Sequence, residues 1–351
     1  VFWTVTEADG IYKPVYAVKS LPGAVFEIRA AEDIYTLDGV MHYAKDEIVD
    51  TITPGSDGVA SSKELYLGKY EIQEITAPHG MVLNGTIQTV ELTYAGQEVS
   101  VTETAGNLYN ERQKVKVSLS KVLEQNELFG IGMNGELKNI TFGLYAKTDL
   151  VAGDGTIIPA GGLIEIVTFD ENGSATVSTD LPLGSYYLQE RSTDEHYILD
   201  DTHYEFEFSY GSQETQVVEI SVNGGEPIKN DLKYGMVSGR KVDEDGHVIA
   251  GAIFGLFRND ENEYTAENAY LTAESAQDGT FKFEKVPFVT WIVREIQPAK
   301  GFVLNEKAYP VTESDDGDVV NIQLEIRYIR GDIEGTKLDE DGNVIAGAVF
   351  G

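Results

Sequence analysis

The chain has 351 residues, 59 of them acidic and 26 basic, for a formal net charge of −33, and it has no cysteine. That length suits about three domains of roughly 100–120 residues, and the charge argues against nucleic acid and anionic membrane surfaces as partners. Without cysteine, disulfides, thiolate zinc sites and thiol catalysis are excluded, so stability has to come from packing or from another covalent link. No window approaches the ~18 consecutive apolar residues of a membrane span. The opening "VFWTVTEADG" has neither the basic start nor the apolar run of a signal peptide, and both ends read as cut points inside larger modules.

Three kinds of segment recur in the same order along the chain. A first unit, residues 1–112, contains "LYLGKYEIQEITAPHGMVLN" and closes on "ETAGNLYNERQ". A second, residues 113–232, opens on "KVKVSLSKV", continues with "LPLGSYYLQERSTDEHYILD" and closes on "NGGEPIKNDLK". A third, residues 233–329, opens on "MVSGRKVDEDGHVIAGAIFGLF" and continues with "VPFVTWIVREIQPAKGFVLN". From Lys337 the chain restates the segment that begins at Lys241, with twelve of fifteen positions identical, so residues 330–351 read as the start of a further, incomplete unit.

Within units the apolar residues alternate with period two, as in "YEFEF", "FKFEKV" and "NIQLEI", and turn sequences such as "ENGS", "DEDG", "QDGT" and "DDGD" separate them. Short alternating strands between frequent turns predict an all-β chain of tandem antiparallel sandwiches. The stretch "TAENAYLTAE" fits either a short helix or an extended edge loop. Short polar junctions, "NERQKV" and "NDLKYG", predict an extended monomer.

At these residues the chain resembles the Cna-B modules, or SpaA-type prealbumin-like domains, of Gram-positive surface proteins and pilins. "YEIQEITAPHG", residues 70–80, resembles the pilin E-box, and the lysine, Asp-Gly turn and "GAxF" resemble the first two strands of the family. The resemblance covers essentially the whole chain. It implies sandwiches of transthyretin-like topology and an extracellular protein attached to a Gram-positive cell wall through an anchor outside this sequence. It also implies an intramolecular isopeptide bond between a lysine on the first strand and an asparagine on the last.

The residues themselves can be weighed against that chemistry. A lysine amine attacks a carboxamide only when neutral, and burial among apolar groups depresses its pKa. In "VKVSLSKV", Val115, Val117 and Leu119 put Lys121 on their own inward face. Tyr186, Leu188 and Glu190 likewise share a face. A buried carboxyl is driven toward protonation and could then polarise the amide oxygen. Asn230 would supply the electrophile, releasing ammonia, and no cofactor is needed.

The units match unevenly. The second has Lys121, Glu190 and Asn230. The first has Glu74 and Asn110 but no settled lysine: Lys13 has the right spacing to Gly23, yet an Asp-Gly turn directly precedes it, which points to a donor before Val1. The third keeps Lys241 and Glu295 but places Ile326 where asparagine is expected, with Asn321 five residues earlier on the opposite face; a charged Lys241–Glu295 pair is expected there instead. Lys337 belongs to the unfinished unit.

No metal site is expected. "DEDG" lacks the further ligands of a calcium loop, and His42, His79, His196, His203 and His247 have no metal-ligand spacing. The expected role is a structural stalk that carries an adhesive domain, outside this sequence, toward a host surface or matrix ligand; self-crosslinking without turnover does not make it an enzyme. The rival reading is a region that itself recognises a host matrix protein or glycan.

Overall fold

Period-two alternation becomes one more buried and one more exposed face on strands such as Val25–Ala30, Lys114–Leu123 and Gly184–Ser192, while Thr141–Ala146 and Ile253–Arg258 are buried on both faces. The computed structural model describes residues 1–96, 106–312, 319–347 and 349. Among these the regular secondary structure is nearly all strand, with two single turns of 3-10 helix at Glu136–Asn139 and Val222–Gly225. It divides into two compact units, Val1–Asp231 and Leu232–Gly351.

The second sequence unit is a two-sheet sandwich. Lys114–Leu123 lies at the centre of one sheet, antiparallel to Ser174–Thr176 and parallel to both Val217–Ser221 and Ile228–Asn230. The facing sheet centres on Thr141–Ala146, flanked by Leu163–Thr168 and Gly184–Ser192, with Tyr204–Phe208 beyond. Val117, Leu119, Phe142, Leu144, Tyr186 and Leu188 close the core between them. Strands that lie antiparallel in most of the sandwich thus leave the lysine strand and the asparagine strand running parallel.

The third unit repeats this plan. Tyr234–Asp243 is antiparallel to Thr280–Pro287 and parallel to Val319–Ile326. The facing sheet runs Leu271–Glu274, Ile253–Arg258, Thr290–Gln297, Tyr309–Thr312. Phe254 and Phe281 stack across the core at 4.0 Å. Gly239 is required beneath them, because a Cβ there would lie 2.1 Å from the Phe281 ring. The ambiguous "TAENAYLTAE" is a turn leading into the edge strand Leu271–Glu274, not a helix. The "DDGD" turn, at 315–318, lies outside the described residues.

The first unit differs. Its strands Ile48–Ile52, Val25–Ala30, Gly68–Thr76 and Gln88–Leu92 form one antiparallel sheet over Ile28, Ala30, Ile34, Val49 and Tyr70. Residues 103–105 of its closing segment lie outside the described residues. The segment assigned to the start of this unit goes elsewhere. Phe2–Ala8 and Ile11–Tyr16 form a hairpin that joins the sheet of the second sandwich, Ile11 pairing with Leu163 in parallel. Phe2, Val5 and Tyr12 pack against the second core.

The junction "NERQKV" is correspondingly more than a polar linker. Gln113 is buried and bonds Ser212, Thr215 and Gly211 of the second sandwich through both ends of its amide. Gln213 in turn bonds Ala77 and Leu83 of the first unit. Short linkers alone do not describe this pair, because the hairpin and these amides tie its members together.

Candidate crosslinking site

Strand alternation carries Lys121 from the Val117–Leu119 face into the sandwich, where it is almost fully buried. Two devices hold it. Its backbone N–H donates to the Gly173 carbonyl at 2.7 Å, and the Phe142 ring lies 5.4 Å from Nζ. Gly173 has φ +75°, and a Cβ there would lie 2.2 Å from the Lys121 carbonyl oxygen, so this turn tolerates no side chain.

Glu190 reaches the same spot from Gly184–Ser192. Lys121 Nζ lies 3.1 Å from its Oε1, both side chains wholly shielded from solvent. The other carboxyl oxygen, Oε2, accepts from Asn230 Nδ2 at 2.8 Å and from the Asp200 N–H at 2.8 Å. Asn230 Nδ2 also donates to the Ile198 carbonyl at 2.6 Å. Lys121 Nζ, Glu190 Oε1 and Asn230 Oδ1 have no hydrogen-bond partner. Burial pushes the Lys121 amine below its usual value, and the adjacent Glu190 opposes that shift. The structure thus brings Lys121, Glu190 and Asn230 together. It differs from the sequence reading in one respect: the carboxyl engages the amide nitrogen of Asn230 and not its oxygen.

The third unit reproduces two of these groups. Lys241 Nζ lies 3.0 Å from Glu295 Oε1, again with both side chains shielded, and the Lys241 N–H donates to the Gly279 carbonyl at 2.8 Å. Burial lowers the Lys241 pKa against the opposing pull of Glu295. The register explains the missing third group. Asn230 pairs with Leu123, two residues beyond Lys121, and Ile326 pairs with Asp243, two residues beyond Lys241. Ile326 is buried there. Asn321 pairs with Ser238 and is exposed, away from the lysine and glutamate.

In the first unit Glu74 is buried, and its Oε2 accepts from Asn110 Nδ2 and from the Asn84 N–H, both at 2.7 Å. Its Oε1 has no hydrogen-bond partner. Lys13 is not brought to this pair; it sits on the hairpin and donates to Thr179 of the second sandwich at 2.9 Å. Lys337 is exposed.

Sequence reasoning missed the group that braces each glutamate. The backbone N–H of Asn84, Asp200 and Asn305 donates to Glu74, Glu190 and Glu295 respectively, each ten residues on. The recurrent endings "MVLN", "YILD" and "FVLN" carried that signal. The "DEDG" turn of the third unit brings Asp243, Asp245 and His247 together. Asp243 there accepts from Tyr328 Oη at 2.5 Å and from the Asp245 and His247 N–H groups, which hold its carboxyl down to about 2. Those bonds account for the cluster as a turn.

Comparison with known proteins bears on the whole chain. The SpaA prealbumin-like fold domain matches three times, at residues 15–106, 131–224 and 235–327. No curated protein sequence matches. Among solved structures, the Bacillus anthracis TIE protein shares 20% identity at a TM-score of 0.58, over 88% of this chain and 48% of that one. This chain therefore spans about half the length of that protein. BcpA, the major pilin subunit of Bacillus cereus, shares 15% identity at a TM-score of 0.37, over 89% of this chain and 96% of the pilin.

Proposed function

Because the chain belongs to the SpaA prealbumin-like fold domain family, we propose that it is a stalk region of a surface adhesin or pilin attached to a Gram-positive cell wall. Its second module, residues 113–232, is locked by an amide between Lys121 and Asn230. The observation that carries this reading is the placement of Glu190, one oxygen against the amine and the other against the amide nitrogen, in a site closed to water. Lys121 Nζ, uncharged in this desolvated setting, attacks Asn230 Cγ. Glu190 takes the proton that the amine sheds and passes it to Nδ2. The Cγ–Nδ2 bond breaks, ammonia leaves, and the Nζ–Cγ bond remains. Asn230 Oδ1 lacks a hydrogen-bond partner and the Lys121 amine is buried against Glu190, which is costly. The reaction replaces the amine and the primary carboxamide with one neutral secondary amide.

Lys121 and Asn230 are 109 residues apart, and closing a loop of that size is worth about 4–5 kcal/mol in the chain-entropy account of crosslinks. Its mechanical effect follows from topology. Force entering at residue 113 runs along Lys114–Leu123 only as far as Lys121, crosses the bond, and leaves after Asn230. Residues 122–229 carry none of it. Intact mass of the second module should fall one ammonia short of the translated sequence, and Glu190→Ala should restore the full mass. A folded wild-type module of unshifted mass sinks the proposal.

A further inference from the structure

Asn84, Asp200 and Asn305 occupy one position in the three units: each is half-buried and gives its backbone N–H to the glutamate ten residues before it. Their side chains begin alike, with Oδ1 accepting from the N–H two residues on, at 3.0 Å. The other side-chain atom differs. Asn84 Nδ2 donates to the Tyr109 carbonyl and Asn305 Nδ2 to the Glu325 carbonyl, both at 2.8 Å. Those carbonyls stand one residue before Asn110 and Ile326, so in both units the amide ties this turn to the closing segment. An ionised carboxylate has no N–H to give. Asp200 Oδ2 instead accepts from Tyr204 Oη at 2.6 Å. The second module thus puts an acid beside its glutamate where the other two units put a neutral amide.

We propose that Asp200 is a positioning residue for the Lys121–Asn230 crosslink: its N–H fixes Glu190, and its carboxylate sets the pH range in which Lys121 reacts. The inference rests on the chemistry proposed for Lys121, Glu190 and Asn230. Burial opposes charge on Asp200, but the bonds from Thr202 and Tyr204 prevail and hold its pKa below the usual value, so it is an anion near neutral pH. Burial and that same bond raise the Tyr204 phenol, which stays neutral. Lys121 is pulled down by burial and up by two charges, first Glu190 and then Asp200. The Phe142 ring and the Asn230 amide, which also line the site, do not titrate. The amine attacks only when neutral, and a nearby anion favours its charged form. Asp200 therefore holds the reaction back on the acid side, a restraint that asparagine at this position would lack.

The test uses the chain of residues 1–351, made in short cell-free pulses, quenched in denaturant and refolded by dilution across a pH series. Intact mass follows the loss of ammonia with time, and peptide mapping assigns it to Lys121–Asn230. Asp200→Asn, the residue of the first and third units, should move the midpoint of the rate profile about one unit toward acid. Asp200→Ser, which keeps an acceptor for the Thr202 N–H without the charge, should do the same, so the result does not hang on one variant's folding. Asp201→Asn, one residue on and exposed, should leave the midpoint in place. A purely structural part for Asp200 would change yield and stability alone, so an unmoved midpoint in the folded Asp200 variants overturns the inference. An equal shift in Asp201→Asn overturns it too, by assigning the effect to overall charge. A wild-type chain that folds and never loses ammonia overturns the underlying chemistry instead.

Discussion

Lys121 and Gly173 show how a lysine is held deep inside a sandwich. Burial holds the Lys121 amine below its usual pKa, and the side-chain-free turn at Gly173 sets the backbone that aims it. Gly173→Ala forces a Cβ into the Lys121 carbonyl at a positive φ. It should destabilise the module by about 1–3 kcal/mol and leave a fraction of chains with full mass, read by denaturation and mass spectrometry. In Asn230→Ala, which cannot crosslink, Lys121 remains a lysine with a lowered native pKa. The unfolded chain, titrating near 10.4, then binds the proton more tightly. Stability of that variant should therefore rise with pH between the lowered native value and about 10.4, and a fall over that window in chemical denaturation would contradict the burial argument.

Between strands, the second and third modules share the lysine–glutamate pair and differ at the register position two residues beyond the lysine. Where Asn230 pairs with Leu123, Ile326 pairs with Asp243, so the third module keeps a shielded Lys241–Glu295 pair with isoleucine in the register position of the asparagine. Ile326→Asn should install a crosslink, read as one ammonia lost from residues 233–329. Lys241→Ala alone strands Glu295 and should cost about 3–5 kcal/mol, whereas replacing both members with apolar residues of similar volume should be neutral or stabilising. Without a bond, force on the third module loads the parallel ladder between Tyr234–Asp243 and Val319–Ile326. Single-molecule pulling should therefore extend the third module fully while the second stays closed.

Over the whole molecule, the hairpin Phe2–Ala8 and Ile11–Tyr16 decides where one compact unit ends. It adds two strands to the second sandwich and lends Phe2, Val5 and Tyr12 to its core. Arg112, at the end of the first sequence unit, stacks on Tyr16 and forms an ion pair with Asp180. Removing residues 1–16 uncovers the edge strand Leu163–Thr168. Calorimetry should show the transition of Val1–Asp231 lowered, and that of Leu232–Gly351 unchanged. Hydrogen exchange should localise the loss to that edge.

What the sequence determined by itself was whatever repeats or alternates. Period-two patterning sets which side chains face inward wherever one sheet face is buried, so Lys121 and Glu190 could be placed inside from their neighbours alone. Counting from Lys337 placed Ile326 in the position of Asn230, because a ladder register preserves spacing. Tertiary structure decided what spacing leaves free. The tenth residue after each glutamate braces it through backbone, which residue type barely encodes. The carboxyl oxygen that faces the Asn230 nitrogen depends on how two sheets meet. The hairpin had the length and turn of a first strand, yet pairing is chosen by whichever open sheet edge lies within reach, and its own sequence does not name that edge.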